Sequence, residues 1–146
     1  MCLSKGLGAP AGSLLLGPKA LIAKAHRYRK VMGGGMRQAG YIAAAGAYAL
    51  EHHVDRLKED HAKAAAVAGE LARCSYVESV LSAETNIVIF TLADAVDTQR
   101  FLQHLKNGDV HALSVGKQLI RFVFHLDVSP AQVDALIASL RKFRPS

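Results

Sequence analysis

The chain has 146 residues, of which 51% are hydrophobic and 21% are charged, so its composition suits a folded core and excludes a disordered chain. Charged residues interrupt every apolar run before it reaches membrane-spanning length, and no signal-peptide pattern is visible. The formal net charge of +6 makes nucleic acid a partner class to consider. Cys2 and Cys74 lack metal-ligand spacing, which favours free thiols in an intracellular protein, and we expect a cytoplasmic location.

The first motif along the chain is a lysine among small residues, in the sequence SKGLGAPAGS. A lysine that acts as a covalent catalyst must approach a carbonyl group closely and be neutral part of the time. Small neighbours of Lys5 leave room for a flat cofactor, but the same residues also suit a solvated turn lysine. The apolar residues that follow predict a short strand from Ser13 to Leu16.

Helix signals dominate the chain from Pro18 to Cys74. Pro18 predicts a helix that runs to about Met32, where the three glycines that follow must end it. Helix-forming residues then continue from Arg37 to Cys74, with an apolar face over residues 55–72. The stretch rich in alanine at residues 43–49 would allow a second helix or subunit to approach closely.

From residue 76 onward, the pattern changes to short strands and helices. The predicted elements are strands at 77–81 and 86–92, a helix at 96–105, strands at 113–115 and 118–124, and a helix to about residue 143. Ser129 is a natural N-cap for the last helix, with Pro130 at its first position. This order describes a small α+β layer, so we place a domain boundary between residues 74 and 75.

Arg121 is predicted to lie inside a strand, where it interrupts the apolar sequence LIRFV. An unpaired buried charge is very costly, so the arginine needs a partner or a position on the outward face of the strand. The residues alone leave a structural ion pair, an outward-facing side chain and a binding role open.

The densest basic cluster is KAHRYRK at residues 24–30, which Arg37 follows after the glycine run. A basic helix followed by glycines would suit the phosphates of a nucleic acid, yet no helix-turn-helix, zinc-finger or RNA-recognition signature is present. A phosphate-bearing cofactor is a simpler anionic partner for the same cations. Lys30 also suits the role of a solvated cation at a helix end.

Read together, the segments SKGLGAPAGSLLLG, KAHRYRK, VMGGGMRQAG and IAAAGAYAL resemble the threonine aldolases, which are fold-type-I pyridoxal-phosphate enzymes. The resemblance runs from Cys2 to about His61 and resumes at 85–86 and 120–127. It implies an α/β fold in which residues 1–74 are a remnant of the cofactor-binding large domain, and residues 75–146 form the small C-terminal α+β domain. Because that family has a long cofactor-binding region before the lysine, we expect the chain to be a C-terminal portion.

The same resemblance implies roles for four residues. In that family the lysine of SKGLGAP forms the Schiff base with pyridoxal phosphate, which assigns this role to Lys5. Lys30 and Arg37 would lie near the cofactor phosphate, and Arg121 would bind the substrate α-carboxylate, for which its planar fork is suited. The sequence departs from the family pattern at Phe124, where a small polar residue is usual.

The activity implied for the complete enzyme is cleavage of threonine or allo-threonine to glycine and acetaldehyde by a dimer or tetramer of identical subunits. We expect no metal, nucleic acid or membrane partner, and no useful activity from the 146 residues alone, because most of the site would be absent. Two alternatives stay open. The chain would otherwise be a non-catalytic partner subunit or a basic nucleic-acid-binding module.

Overall fold

A computed structural model of the chain describes residues 1–145 and divides them into two compact units, residues 1–56 and the residues from 57 onward. The elements in chain order are α1 (Lys19–Val31), α2 (Gly40–His52), α3 (Leu57–Leu71), β1 (Val77–Val80), β2 (Ile87–Leu92), α4 (Thr98–Asn107), β3 (Leu113–Ser114), β4 (Leu119–Val123) and α5 (Pro130–Lys142). In the described part of the chain, every helix is too short or too polar to cross a membrane.

In the first unit, the predicted helix after Pro18 is confirmed. Pro18 is the N-cap of α1, one position earlier than expected, and α1 ends before Gly33, whose φ of +81° glycine adopts without strain. The predicted strand from Ser13 to Leu16 is wrong. Only Ser13 is bridged, to Cys2. Leu14 exchanges backbone hydrogen bonds with Met1, but the three leucines that follow Ser13 are exposed and form no strand.

The second unit contains a four-stranded antiparallel sheet in the order β1-β2-β4-β3. The strands and helices predicted from residue 76 onward are all present, with ends that differ by at most two residues. Helix α3 packs against β1, β2 and α5, and α4 also contacts α5, so the helices form a layer with the sheet. The second unit begins at residue 57 and includes α3, whose buried residues belong to its core.

Strand alternation creates the core of the second unit. Val88, Phe90 and Leu92 of β2 are fully buried, and Ile120 and Phe122 of β4 lie on the same side. Aromatic rings fill the space under the helices, where edge or tilted contacts join Tyr76, Phe90, Phe101, Phe122 and Phe143.

Polar contacts at the helix ends close this core. Ser129 caps α5 in a reciprocal arrangement with Gln132, which confirms the predicted cap. The Tyr76 hydroxyl donates a 2.8 Å hydrogen bond to the carbonyl of Leu140 near the end of α5. Burial raises the pKa of Tyr76 far above its ordinary value, so it stays a neutral donor.

Candidate functional site

The loop that carries Lys5 is a compact, hydrogen-bonded structure. The amide of Leu3 donates to the carbonyl of Gly12 at 3.0 Å, the amide of Ala9 donates to the carbonyl of Leu3 at 3.0 Å, and Gly8 donates to the carbonyl of Lys5 at 2.8 Å. Leu3 and Ala9 are buried, while Lys5 is exposed. The apolar residues therefore anchor the loop and present the lysine at its surface.

The lysine itself has room and no internal partner. Within residues 1–145, the Lys5 Nζ forms no hydrogen bond and no ion pair. Gly8 has a φ of +67°, a conformation that requires almost no energy in glycine and lets the chain turn tightly just after the lysine. An amine in this setting is sterically open to a planar carbonyl compound.

Cys2 lies on the same loop, three residues before Lys5. Hydrogen bonding of its Sγ to the Ser4 hydroxyl, at 3.3 Å, is the main cause that lowers the pKa of the Cys2 thiol. The backbone of Ser4 and, more weakly, Ser13 and the charge of Lys5 act in the same direction. The loop thus stabilises negative charge at this position.

The connection between α1 and α2 is a second glycine-dependent feature. The amide of Gly34 donates to the carbonyl of Arg29 at 2.7 Å, and a Cβ on Gly34 would lie 2.6 Å from Arg29 Cγ. The glycine therefore allows the chain to fold back onto the last turn of α1. As a result, the Lys30 Nζ lies 3.6 Å from the place where a Cβ on Gly35 would be.

Arg37 follows this connection and is exposed, next to Gln38, whose φ of +51° is unusual for a non-glycine residue. The side chains of Lys5, Lys30 and Arg37 belong to the same unit, but no hydrogen bond or ion pair joins them in the described residues. The structure therefore provides three separate, accessible positive charges on two loops and a helix end.

Arg121 lies in the second unit, in the central part of the sheet. It pairs with Ile89 of β2 on one side and with Leu113 of β3 on the other, and it is half-buried on the face opposite the core. Its Nε is buried and has no hydrogen-bond partner within residues 1–145. The outward-facing interpretation fits this position, whereas an internal ion pair is absent from the described chain.

The surroundings of Arg121 strengthen its attraction for an anion. Leu119 and Val123, two residues away on either side, share its face of β4, and Ile87 and Ile89 lie opposite on β2. The buried Nε of Arg121 has lost its hydration and has no hydrogen-bond partner in residues 1–145. A carboxylate that reached it would therefore form strong charge-assisted hydrogen bonds. Phe124, the departure from the family pattern, is buried in the core.

Sequence reasoning missed one residue of the lysine loop's support. The ring Nδ1 of His53 lies 2.6 Å from the carbonyl oxygen of Leu7, which is two residues after Lys5. The partners are 46 residues apart, and no spacing rule connects them. The helix-forming pattern ran on from Arg37 to Cys74 and indicated no helix end at His53, so the sequence offered no signal for this contact.

The sequence matches proteins of known class. A family model described as "Beta-eliminating lyase" matches residues 1–95. The low specificity L-threonine aldolase of Escherichia coli (strain K12) is 42% identical over 143 residues, which are 98% of this chain and 41% of that protein. The chain thus spans less than half of the length of this curated relative.

Two solved structures share the fold. A structure from Exiguobacterium sp. 255-15, described as an aromatic amino acid beta-eliminating lyase/threonine aldolase, superposes with a TM-score of 0.73 at 21% identity, over 97% of this chain and 43% of that one. A structure of SPT with a PLP internal aldimine gives a TM-score of 0.69 at 16% identity, over 96% and 37%. These similarities confirm the predicted α/β fold of the fold-type-I class.

Proposed function

Because the chain belongs to the beta-eliminating lyase family, we propose that it is part of a pyridoxal-phosphate-dependent lyase that cleaves threonine or allo-threonine to glycine and acetaldehyde. The observation that carries this proposal is the 42% identity to the Escherichia coli threonine aldolase over 98% of the chain. The substrate is a small amino acid with a hydroxyl group on Cβ.

The residues of the first unit fit pyridoxal phosphate. Lys5 offers an unpartnered amine for the cofactor's aldehyde, and Lys30 and Arg37 offer cations for its phosphate, Lys30 beside the bare backbone of Gly35. The cofactor, when bound, supplies an electron sink for the negative charge that develops at the substrate Cα. We assign Lys5 to covalent attachment of the cofactor and the two other cations to its phosphate.

Arg121 is assigned to the substrate's α-carboxylate. Its fork-shaped guanidinium matches two carboxylate oxygens through parallel hydrogen bonds, and its buried, unpartnered Nε supports a role in which the partner arrives with the substrate. A carboxylate held at two points orients the substrate Cα, which decides the bond that breaks.

We propose that the 146 residues in isolation lack useful aldolase activity, because catalysis requires a preorganised and complete site. We further propose that the active enzyme is a dimer or tetramer of identical subunits and acts in the cytoplasm.

A chimera tests this function. In it, the 143 aligned residues of the Escherichia coli relative are replaced by this chain. We expect the purified chimera to bind pyridoxal phosphate and to release acetaldehyde and glycine from threonine. Lys5→Ala should abolish release, while Lys19→Ala, which alters an exposed lysine at the start of α1, should leave it unchanged.

The same chimera tests Arg121. Arg121→Lys keeps the charge but loses the fork, so it should raise the KM for threonine more than it lowers kcat. The proposal is overturned if the folded Lys5→Ala chimera cleaves threonine at the rate of the unmodified chimera. Circular dichroism and the oligomer size establish that the compared variants are folded.

A further inference from the structure

The side chain of His53 connects the end of a helix to the lysine loop. His53 is the C-cap of α2, where its own amide donates to the carbonyl of Ala49 at 2.9 Å. Its half-buried ring places Nδ1 at 2.6 Å from the carbonyl oxygen of Leu7. A carbonyl oxygen only accepts, so Nδ1 carries the proton and donates it.

The carbonyl that receives this bond belongs to the turn that presents Lys5. Gly8 donates to the carbonyl of Lys5 at 2.8 Å, so residues 5–8 form one tight turn, and Leu7 lies inside it. A bond that fixes the Leu7 peptide therefore also fixes the direction in which the lysine leaves the backbone.

A second contact holds the other side of the lysine. The side chain of Leu3 is buried, and its Cδ1 lies only 2.9 Å from the place where a Cβ on Gly46 would be. Gly46 is a buried residue of α2, so Leu3 packs directly on that helix. Lys5 is thus flanked by two attachments to α2, an apolar one at Leu3 and a polar one at Leu7.

The orientation of the His53 ring is itself supported. Tyr48, one turn earlier on α2, contacts the ring edge to face, with ring centres 5.6 Å apart and planes at 88°. The same tyrosine lies 4.2 Å from the ring of His52. The contact with Tyr48 restricts the His53 ring before it bonds to Leu7, so less side-chain conformational entropy is lost when that hydrogen bond forms.

We propose that His53 is a positioning residue, which holds the Lys5 turn on α2 so that the lysine amine meets the cofactor's aldehyde in a fixed geometry. This inference rests on the proposed role of Lys5. It assigns His53 no contact with the cofactor or the substrate. Its effect passes through the Leu7 peptide.

The test measures how strongly the cofactor prefers Lys5 in the chimera with the Escherichia coli relative. The chimera is incubated with pyridoxal phosphate, and borohydride then fixes the attached molecules. In this chemistry the Lys5 Nζ bonds to the aldehyde carbon, water leaves, and hydride from borohydride gives a stable secondary amine. Peptide mass spectrometry compares the label on Lys5 with that on Lys19, an exposed reference lysine of the same unit.

Two matched variants separate hydrogen bonding from packing. His53→Phe keeps a ring beside Tyr48 but removes the donor, and His53→Asn keeps a donor at the equivalent atom but removes the ring. We expect His53→Phe to lower the Lys5 to Lys19 labelling ratio by about threefold to tenfold, the range given by loss of one typical hydrogen bond. His53→Asn should stay within about twofold of the unmodified chimera.

Each result decides the proposal. An unchanged ratio in His53→Phe overturns the role of His53 while leaving Lys5 as the preferred site. If the Lys5 to Lys19 labelling ratio falls in His53→Asn but not in His53→Phe, the ring of His53 acts by packing and not by hydrogen bonding. That result also overturns the proposal. If the unmodified chimera shows no preference for Lys5, the proposed role of Lys5 fails, whereas a preference for Lys5 that His53→Phe does not change overturns the role of His53 alone. His53→Ala replaces His53→Phe if circular dichroism shows that the phenylalanine variant is unfolded.

Discussion

Arg141 at the end of α5 donates hydrogen bonds to both carboxylate oxygens of Glu70 at the end of α3. Arg141 Nε donates to Oε1 at 2.6 Å and Nη2 donates to Oε2 at 2.8 Å, across 71 residues of sequence. Glu70 is buried, and Arg73 adds a weaker ion pair at 3.8 Å. The pair joins the two helices that cover the sheet of the second unit.

This ion pair makes the free energy of unfolding depend on pH in the acid range. The hydrogen bonds from Arg141 hold the pKa of Glu70 below its ordinary value of 4.5. Because the folded pKa is depressed, the pair's contribution is present above pH 4.5 and is lost as the pH falls through the folded pKa. We expect Glu70→Gln to lower the urea midpoint at neutral pH, and the gap to the unmodified protein to narrow in acid. A gap that does not change with pH would contradict this.

Phe101 is the central ring of the second unit's core. It is fully buried and contacts Tyr76, Phe90 and Phe143. Phe101→Ala should lower the free energy of unfolding by about 3 to 5 kcal/mol, since it leaves a cavity among rigid rings. Chemical denaturation measures the change.

The control for Phe101 is an apolar residue at the surface. Leu81 is 58% exposed, so Leu81→Ala should change the free energy of unfolding by no more than about 0.5 kcal/mol. Equal losses in the two variants would show that Phe101 does not lie in a packed core.

Replacement by alanine should change the stability of the protein differently at two helical glycines, Gly69 and Gly46. Nothing lies within 4 Å of a Cβ placed on Gly69 in α3, so Gly69→Ala should stabilise the protein by up to about 1 kcal/mol through helix propensity alone. A Cβ on Gly46 would come 2.9 Å from Leu3 Cδ1 and must displace that side chain. Gly46→Ala should therefore gain less than Gly69→Ala, or lose stability. Thermal unfolding compares them, and an equal gain would rule out close packing of Leu3 on α2.

The thiol of Cys2 should be reactive at unusually low pH. Because the hydroxyl of Ser4 is the main cause of its lowered pKa, Ser4→Ala should move the midpoint of the alkylation rate to higher pH. The rate with iodoacetamide, followed by peptide mass spectrometry, separates Cys2 from the half-buried Cys74. An identical pH profile in Ser4→Ala would show that the contact does not stabilise the thiolate.

Local patterns predicted the elements whose causes are local. Ser129 and Pro130 located the start of α5, and the glycine run located the end of α1. The apolar sequence from Ser13 to Leu16 failed as a strand predictor, because a strand also requires a neighbour that the sequence does not identify. The packing of α3 against the sheet is likewise visible only in the structure, because it joins residues far apart in the sequence.

The candidate site divides in a similar way. The residue types and motif predicted Lys5 as a candidate, and the structure adds its hydrogen-bonded turn. The apolar strand around Arg121 predicted that this arginine needs a partner or an open face, and the register places it on the open face. The contact between His53 and Leu7 depends on how α2 folds against the loop, so no local pattern contains it.

The most direct test of the account is the identity of the lysine that carries the cofactor in the chimera with the Escherichia coli relative. The chimera is treated with pyridoxal phosphate and borohydride, digested, and examined by peptide mass spectrometry. We predict that the label lies on Lys5 and that Lys5→Ala leaves no comparable label elsewhere. A label on another lysine, with Lys5 unmodified, would contradict the account.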